Sequence, residues 1–360
     1  MEHNEDHGVY QNTFDSSIYH RYEGHHRTKL EKDLVKYYNC DKECVIFPSG
    51  MNAIYNTIEL CLPTNGKLLV SKDIYSCTKD MCKYLTNKKN ASHVTVNIHD
   101  NHKLMNAFKD NLDTSVFYFE SASNPEGKII NHELLQVIKN KYGSSMIIIV
   151  DNTWLSGCSY NPFEYGADVV VESLTKYIGE CRYISGAVLS NSKIINKLKK
   201  IVQVKGLYVN PVICNEFIKG LHTVENRIKQ IGTITNNIAL WLNNEPRVNS
   251  VLHISLPSHP SHEQLKYIKY YPGIVYFQVI INSYYKTSEL VRIIRDSGIE
   301  CGPSYGSIFA KINHLINCVP IEETSQFNVW LRLALGSQTN YNNLIICLDK
   351  LLKKLNNFVV

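Results

Sequence analysis

Short apolar strands alternating with amphipathic helices from about residue 27 to 200 predict an α/β protein with a mostly parallel sheet. Two observations carry this. Runs such as Met146–Val150 and Val169–Val171 have no polar face, as strands covered on both sides do, and helical spacing returns between such runs. Beyond about residue 224 the strand candidates become fewer and more widely spaced, which predicts a smaller α+β domain.

In order, Arg27 to Tyr38 reads as an amphipathic helix and Cys44 to Phe47 as a short buried strand. Pro48-Ser49-Gly50 breaks the strand, and Met51 to Leu60 returns to helical spacing. Further strands are expected at Lys67 to Val70, Val94 to Ile98, Ser115 to Glu120, Ser145 to Asp151, Asp168 to Glu172 and Ala187 to Leu189. Asn131 to Lys141 is a connecting helix. The second part offers strands at Val251 to Ile254, Gly273 to Ile281 and Val329 to Ala334, with helices at Thr287 to Asp296 and Tyr341 to Leu355. The division expected is an arm over 1–26, a large domain over 27–223 and a small domain over 224–360.

Composition narrows the function classes. The 360 residues are 44% hydrophobic and 20% charged, enough for a sizeable core. The net charge of +5 is small and dispersed, and Lys197 to Lys200 reads as a solvated helix face, so neither nucleic acid nor a membrane surface is expected as a partner. No apolar run approaches the roughly 18 residues of a membrane span, and the acidic, His-rich N-terminus lacks the apolar core of a signal peptide. The 11 cysteines are an odd number scattered over a long chain, and neither Cys40/Cys44 nor Cys77/Cys82 has zinc-ribbon spacing. A reducing cytoplasm and no metal are the expectations.

In a buried parallel sheet, ligands bind beyond the carboxyl ends of the strands. Met146 to Asp151 is an apolar strand delivering one acid to that edge. Val169 to Tyr177 delivers Ser173, Thr175 and Lys176 beside Glu172. A lysine at such an exit is suited to Schiff-base chemistry, and two hydroxyls at spacing two are suited to phosphate. Phe47 to Ala53 is a strand-to-helix turn whose free amides also suit phosphate. Each has an ordinary reading when taken alone: a cap for Asp151, surface charge for Lys176, a plain βα turn around Gly50. Together they meet the requirements of pyridoxal phosphate, namely a phosphate site, a reactive amine and an acid for the pyridine nitrogen.

The ordered motifs resemble the pyridoxal-phosphate enzymes of cysteine and methionine metabolism, which include cystathionine γ-synthase, cystathionine lyases and methionine γ-lyase. Tyr19-His20-Arg21, Ser49-Gly50-Met51, Ser121 to Pro125, Val150 to Thr153, Ser173 to Tyr177, Leu256 to His262 and Arg332 to Gly336 carry the resemblance in order, from about Val9 to Leu351. It implies a fold-type I, aspartate aminotransferase-like architecture. It also implies that Lys176 forms the Schiff base and shuttles protons, and that Asp151 pairs with the pyridine nitrogen. Gly50, Met51, Ser173 and Thr175 would hold the phosphate, with Tyr19 and Arg21 reaching in from a neighbouring subunit of a dimer or tetramer. Tyr75 would stack on the ring and Asn124 contact its phenolic oxygen, while Arg332, with Ser304 nearby, would clamp the substrate carboxylate.

Departures from the family pattern matter as much. His25-His26 replace part of the segment after Tyr-x-Arg and could face substrate or solvent, and Glu180-Cys181-Arg182-Tyr183 replace the usual Gly-His-x-Asp. Pro303 stands where cystathionine γ-enzymes have a glutamate for the distal amine, which argues against cystathionine. Tyr75-Ser76-Cys77-Thr78 is similar to the methionine γ-lyase segment that brings a cysteine near the substrate side chain. The expected activity is γ-elimination or γ-replacement on a sulfur-containing or O-activated homoserine-type amino acid. A β-eliminating C–S lyase, a specialised biosynthetic enzyme of the family, or a non-catalytic binding protein are the alternatives. Gly302 to Gly306 matches Gly-x-Ser-x-Gly, but no acid followed by His comes downstream as a serine hydrolase needs. Neither His25/His26 nor His259/His262 has the helical i, i+4 spacing of a zinc protease.

Overall fold

The computed structural model describes residues 24–143, 145–313 and 316–357. Tyr19 and Arg21 lie outside them. A seven-stranded sheet has the order β1-β7-β6-β5-β4-β2-β3. Its strands are β1 (Glu43–Phe47), β2 (Lys67–Ser71), β3 (Ser92–Val96), β4 (Val116–Glu120), β5 (Ile147–Asp151), β6 (Val169–Glu172) and β7 (Gly186–Ser190). Only β7 runs against its neighbours; the rest are parallel, as the apolar runs predict.

The pattern of β4 shows why the sheet is covered on both sides. Phe117 and Phe119 point into one apolar layer, with Leu30 and Leu34 of α1 (His25–Tyr37), Phe108 of α4 (Asn101–Asp110) and Ile138 of α5 (His132–Tyr142). Val116 and Tyr118 point into the other, with Ile58 of α2 (Gly50–Cys61), Leu85 of α3 (Ser76–Lys88) and Leu198 of α6 (Ser192–Lys205). Polar residues start four of these six helices: Ser49, Asp100, Asn131 and Asn191 each accept a backbone N–H of the first turn.

Helix α7 (Pro211–Asn243), about 50 Å long at 1.5 Å per residue, runs from the large sheet to the second one. The boundary expected at 223/224 falls inside it, because a continuous apolar stripe from Cys214 to Leu242 serves both halves. The second sheet has β8 (Ser250–Leu252), β9 (Ile274–Ile281), β10 (Glu300–Cys301), β11 (Lys311–Ile312), β12 (Cys318–Pro320) and β13 (Phe327–Ala334). Its centre is the antiparallel pair β9–β13, which aligns Arg332 with Tyr276. Helices α8 (Thr287–Asp296) and α9 (Tyr341–Asn357) pack against each other beside this sheet. Strand β3 begins two residues earlier than the apolar pattern suggests, because its ladder to β2 starts at Lys67 and Ser92.

The segment Leu256 to His262 stitches the two halves together. Buried His259 donates through Nε2 to the Glu126 carbonyl at 3.0 Å while its Nδ1 accepts the Ser261 amide. The Ser261 hydroxyl in turn accepts the Ile129 amide at 3.0 Å. His262 contacts the Ile254 carbonyl through Nδ1, so these histidines hold backbone. Phe117 packs edge-on against Phe108 and beside Phe119 with ring centroids 5.2 and 4.9 Å apart. Phe117→Ala should therefore lower the unfolding free energy by about 3–5 kcal/mol, measured by urea titration with an unchanged m-value.

Candidate active site

Four strands of the large sheet end in polar residues along one edge. β5 ends at Asp151, which is buried and held by three donors: the Thr153 amide at 2.9 Å, the Thr153 hydroxyl at 2.5 Å and the Tyr118 phenol at 3.4 Å. Burial raises its pKa, and these donors and the Lys176 charge oppose the rise. Among the described residues no cationic side chain forms an ion pair with it. A buried acid that is hydrogen-bonded but lacks a cation fits a protonated pyridine nitrogen.

Next to it in register, β4 ends at Glu120. Burial, and then the Asp151 charge, push the Glu120 carboxyl up to about 8, although the Tyr75 amide donates to it at 2.7 Å. The motif reading missed Glu120. The signal was present, since Val116 to Glu120 is an apolar strand ending in an acid like that of Asp151. Glu120 anchors the backbone of Tyr75, whose half-exposed ring stands at the start of α3. A hydrogen bond with the exposed Cys77 thiol, and then burial, raise the Tyr75 phenol.

β6 runs into Ser173 to Lys176. Burial lowers the Lys176 amine from its ordinary value; Cys181 and Asp151 oppose this, and Arg332 reinforces it. Lys176 Nζ donates to Ser304 Oγ at 2.9 Å and stands 5.2 Å from the centroid of the Tyr305 ring. These partners come from the loop after β10. Its Gly306 has φ +75°, and a Cβ there would lie 2.7 Å from the Lys176 carbonyl carbon, so only glycine brings the loop so close. The Gly302 to Gly306 pattern thus has a packing origin, and no helix follows Ser304 as a nucleophile elbow requires. Ser304, expected near the substrate carboxylate, accepts a hydrogen bond from the lysine.

Of the phosphate candidates, Gly50 and Ser173 lie side by side. Gly50 opens α2, and a Cβ on it would meet Ser173 Cβ at 2.9 Å. The amides of Gly50 and Met51 are among those a helix leaves unpaired at its N-terminus. The Thr175 hydroxyl donates to the Ser185 carbonyl at 3.2 Å and accepts the Ser185 amide at 3.1 Å. Its proton can reach a phosphate only by exchanging the carbonyl bond.

Arg332, on β13 and 5% exposed, donates through Nη1 to Asn124 Oδ1 at 2.8 Å and through Nη2 to the Pro303 carbonyl. Its Nε is buried without a partner, a donor suited to a ligand carboxylate. The departures after Lys176 are absorbed by packing. Glu180 accepts a hydrogen bond from Ser337 and forms ion pairs with Arg182 at 3.3 Å and Arg227 at 3.7 Å. Arg227 also donates to the carbonyls of Tyr177, Ile178 and Gly220. His25 is exposed at the start of α1.

Residues 2–298 match the model of the Cys/Met metabolism PLP-dependent enzyme family. The chain belongs to that family. It is 32% identical over 223 residues to an L-methionine gamma-lyase of Fusobacterium nucleatum subsp. polymorphum, covering 61% of this chain and 55% of that one. It is 27% identical over 265 residues to cystathionine gamma-synthase 1, chloroplastic, of Arabidopsis thaliana, covering 72% of this chain and 46% of the relative. The chain thus spans about half the length of these relatives. A crystal structure of cystathionine gamma synthase from Xanthomonas oryzae pv. oryzae, in complex with aminoacrylate and cysteine, superposes with a TM-score of 0.81. That match is 24% identical and covers 94% of this chain and 87% of that one, which shows the shared fold. The fold-type I architecture read from the motifs is the architecture found.

A second acid lies behind the site. Glu172, at the end of β6, is buried, and burial raises its pKa to about 7 against hydrogen bonds from Ser156 and Tyr38. A carboxyl whose folded pKa is raised binds its proton more tightly in the folded state, so stability falls as pH rises from the unfolded value to the folded one. Glu172→Gln should flatten the fall in stability between pH 4.5 and about 7 and should be the more stable form at pH 8. Thermal melts across that range measure it.

Proposed function

We propose that the chain is a pyridoxal-phosphate-dependent enzyme performing γ-elimination or γ-replacement on an L-amino acid with a sulfur or activated oxygen substituent at Cγ. The observation that carries this reading is the buried Lys176 amine at the large sheet's edge, within the electrostatic reach of the acid Asp151 on the same edge and of Arg332, whose Nε is free, on the second sheet. Family membership and the relatives' names support the same chemistry.

When bound, the cofactor supplies an electron sink for negative charge at the substrate Cα. Asp151 keeps the ring nitrogen protonated. The amides of Gly50 and Met51, with the hydroxyls of Ser173 and Thr175, would hold the phosphate within one subunit, and Arg21 of a second subunit, with Tyr19, would supply the side-chain cation. Arg332 would fix the substrate carboxylate through Nε, while Asn124, whose Oδ1 accepts from Arg332, would turn its amide N–H groups to the cofactor's phenolic oxygen. Lys176, with its ammonium form disfavoured by burial, would take the proton from Cα, pass that proton on to the bound cofactor and so be neutral again to take one from Cβ, which would permit loss of the γ-substituent. Tyr75 covers the site from α3, and Cys77 lies one residue beyond Ser76 on the same helix.

The reading implies at least a homodimer and an amino-acid substrate. The 11 cysteines are all unpaired, which suits the reducing cytoplasm expected from the sequence. Among the described residues no helix is long and apolar enough to cross a membrane.

Proton NMR in D₂O tests the reaction, with purified holoenzyme and L-methionine, L-cystathionine, L-cysteine and O-acetyl-L-homoserine. Loss of both α- and β-proton signals is expected with a γ-substituted substrate. Loss of the α signal alone would shift the assignment to β-elimination, and a protein that takes up no cofactor would overturn the reading. Lys176→Ala should lose both the covalent cofactor and turnover. Arg332→Ala should raise KM by about 10- to 100-fold with a smaller change in kcat, read from steady-state kinetics.

A further inference from the structure

We infer that Cys181 is a positioning residue for Lys176, acting through the Ser304 hydroxyl to leave the amine's lone pair directed away from Ser304. The inference rests on the reading of Lys176 as the amine that bonds the cofactor.

Three side chains and one carbonyl form a chain of contacts. Lys176 Nζ lies 2.9 Å from Ser304 Oγ, Ser304 Oγ lies 3.3 Å from Cys181 Sγ, and Cys181 Sγ lies 3.3 Å from the Tyr305 carbonyl oxygen. The carbonyl can only accept, so the thiol proton goes to it. The sulfur is then left as an acceptor and the Ser304 proton goes to the sulfur. Ser304 thereby presents a lone pair to Lys176, whose N–H donates to it. A neutral amine held in this way keeps its own lone pair free to attack a carbonyl or accept a proton. Without the sulfur, the other acceptor for the Ser304 proton is the Tyr305 carbonyl at 3.4 Å, a long bond. The hydroxyl can then turn and donate to the Lys176 lone pair, which occupies the electron pair the chemistry needs.

The local backbone is built to hold the thiol there. Glu180 and Cys181 both have positive φ, 51° and 61°, which non-glycine residues adopt only where the surroundings enforce it. The Glu180 carboxylate is tied to Ser337, Arg182 and Arg227, and the Cys181 amide donates to the Thr175 carbonyl at 2.8 Å. Around the amine, Asp151 and Arg332 exert opposing charge effects and the Tyr305 ring covers one side. Cys181, through Ser304, is the partner that sets the direction of a hydrogen bond to Lys176.

The test uses full-length protein freed of cofactor and then recombined with pyridoxal phosphate, with imine formation followed by absorbance across pH. Cys181→Ala should slow imine formation about five- to tenfold, the worth of one reoriented hydrogen bond, and Cys181→Ser should stay within about twofold of the parent. Adding Cys181→Ala to Ser304→Ala should cause no further slowing, because the hydroxyl through which the thiol acts is gone. An unchanged rate in Cys181→Ala, or equal slowing in the Ala and Ser variants, would overturn the inference; the latter would mean that the thiol acts by volume alone. A parent protein that forms no imine would overturn the cofactor reading itself, and this inference with it.

Discussion

The burial of a single amine organises the rest of the site. Lys176 leaves β6 at the sheet's edge, and its amine is shielded there by a loop from the other half of the molecule. An ammonium in that position would be poorly solvated, so its pKa falls and the neutral amine is more accessible than in a solvated lysine. Shielding requires close approach, which explains Gly306 in a left-handed conformation against the lysine backbone. It also requires polar partners, supplied by Ser304 and, beyond it, Cys181. The Glu180–Ser337 bond then ties the turn after the lysine to the segment that carries Arg332.

The acids obey the same constraint from the other side. Asp151 and Glu120 end neighbouring strands in register, and two such carboxyls cannot both be charged cheaply in a poorly hydrated place. Burial raises both; the Thr153 amide and hydroxyl and the Tyr118 phenol oppose the rise at Asp151, whereas at Glu120 the Tyr75 amide opposes it and the Asp151 charge adds to it. The pair is therefore asymmetric: one acid is prepared for a cation and the other fixes a loop. Glu172, one strand further and walled by Tyr38 and Ser156, is a third acid kept from water.

Much of this was legible in the residues. Apolar runs ending in Asp151 and in Ser173 to Lys176 marked the carboxyl edge of the sheet, because a strand buried on both faces can carry polar side chains only where it leaves the sheet. The Pro48-Ser49-Gly50 break marked the start of α2 for the same reason. Glu120 was legible by that rule too and was passed over because no motif drew attention to it. The histidines of Leu256 to His262 could not be read, since their partners are backbone carbonyls of residues 126 and 254, which the sequence does not mark. The long helix α7 escaped because its apolar stripe continues through both halves without a break.

The sequence by itself determined the α/β class, the family and the order of the strands' polar exits, and it singled out Lys176, Asp151 and Arg332 as candidate site residues. These are local properties, since side-chain periodicity and turn residues are set by neighbours a few positions apart. Only the tertiary structure decided that Ser304 serves the lysine, that Arg332 keeps a free Nε while bonded to Asn124, and that Cys181 completes a hydrogen-bonded chain. Those relations join residues more than 100 positions apart, and their geometry arises from packing the second sheet against the first.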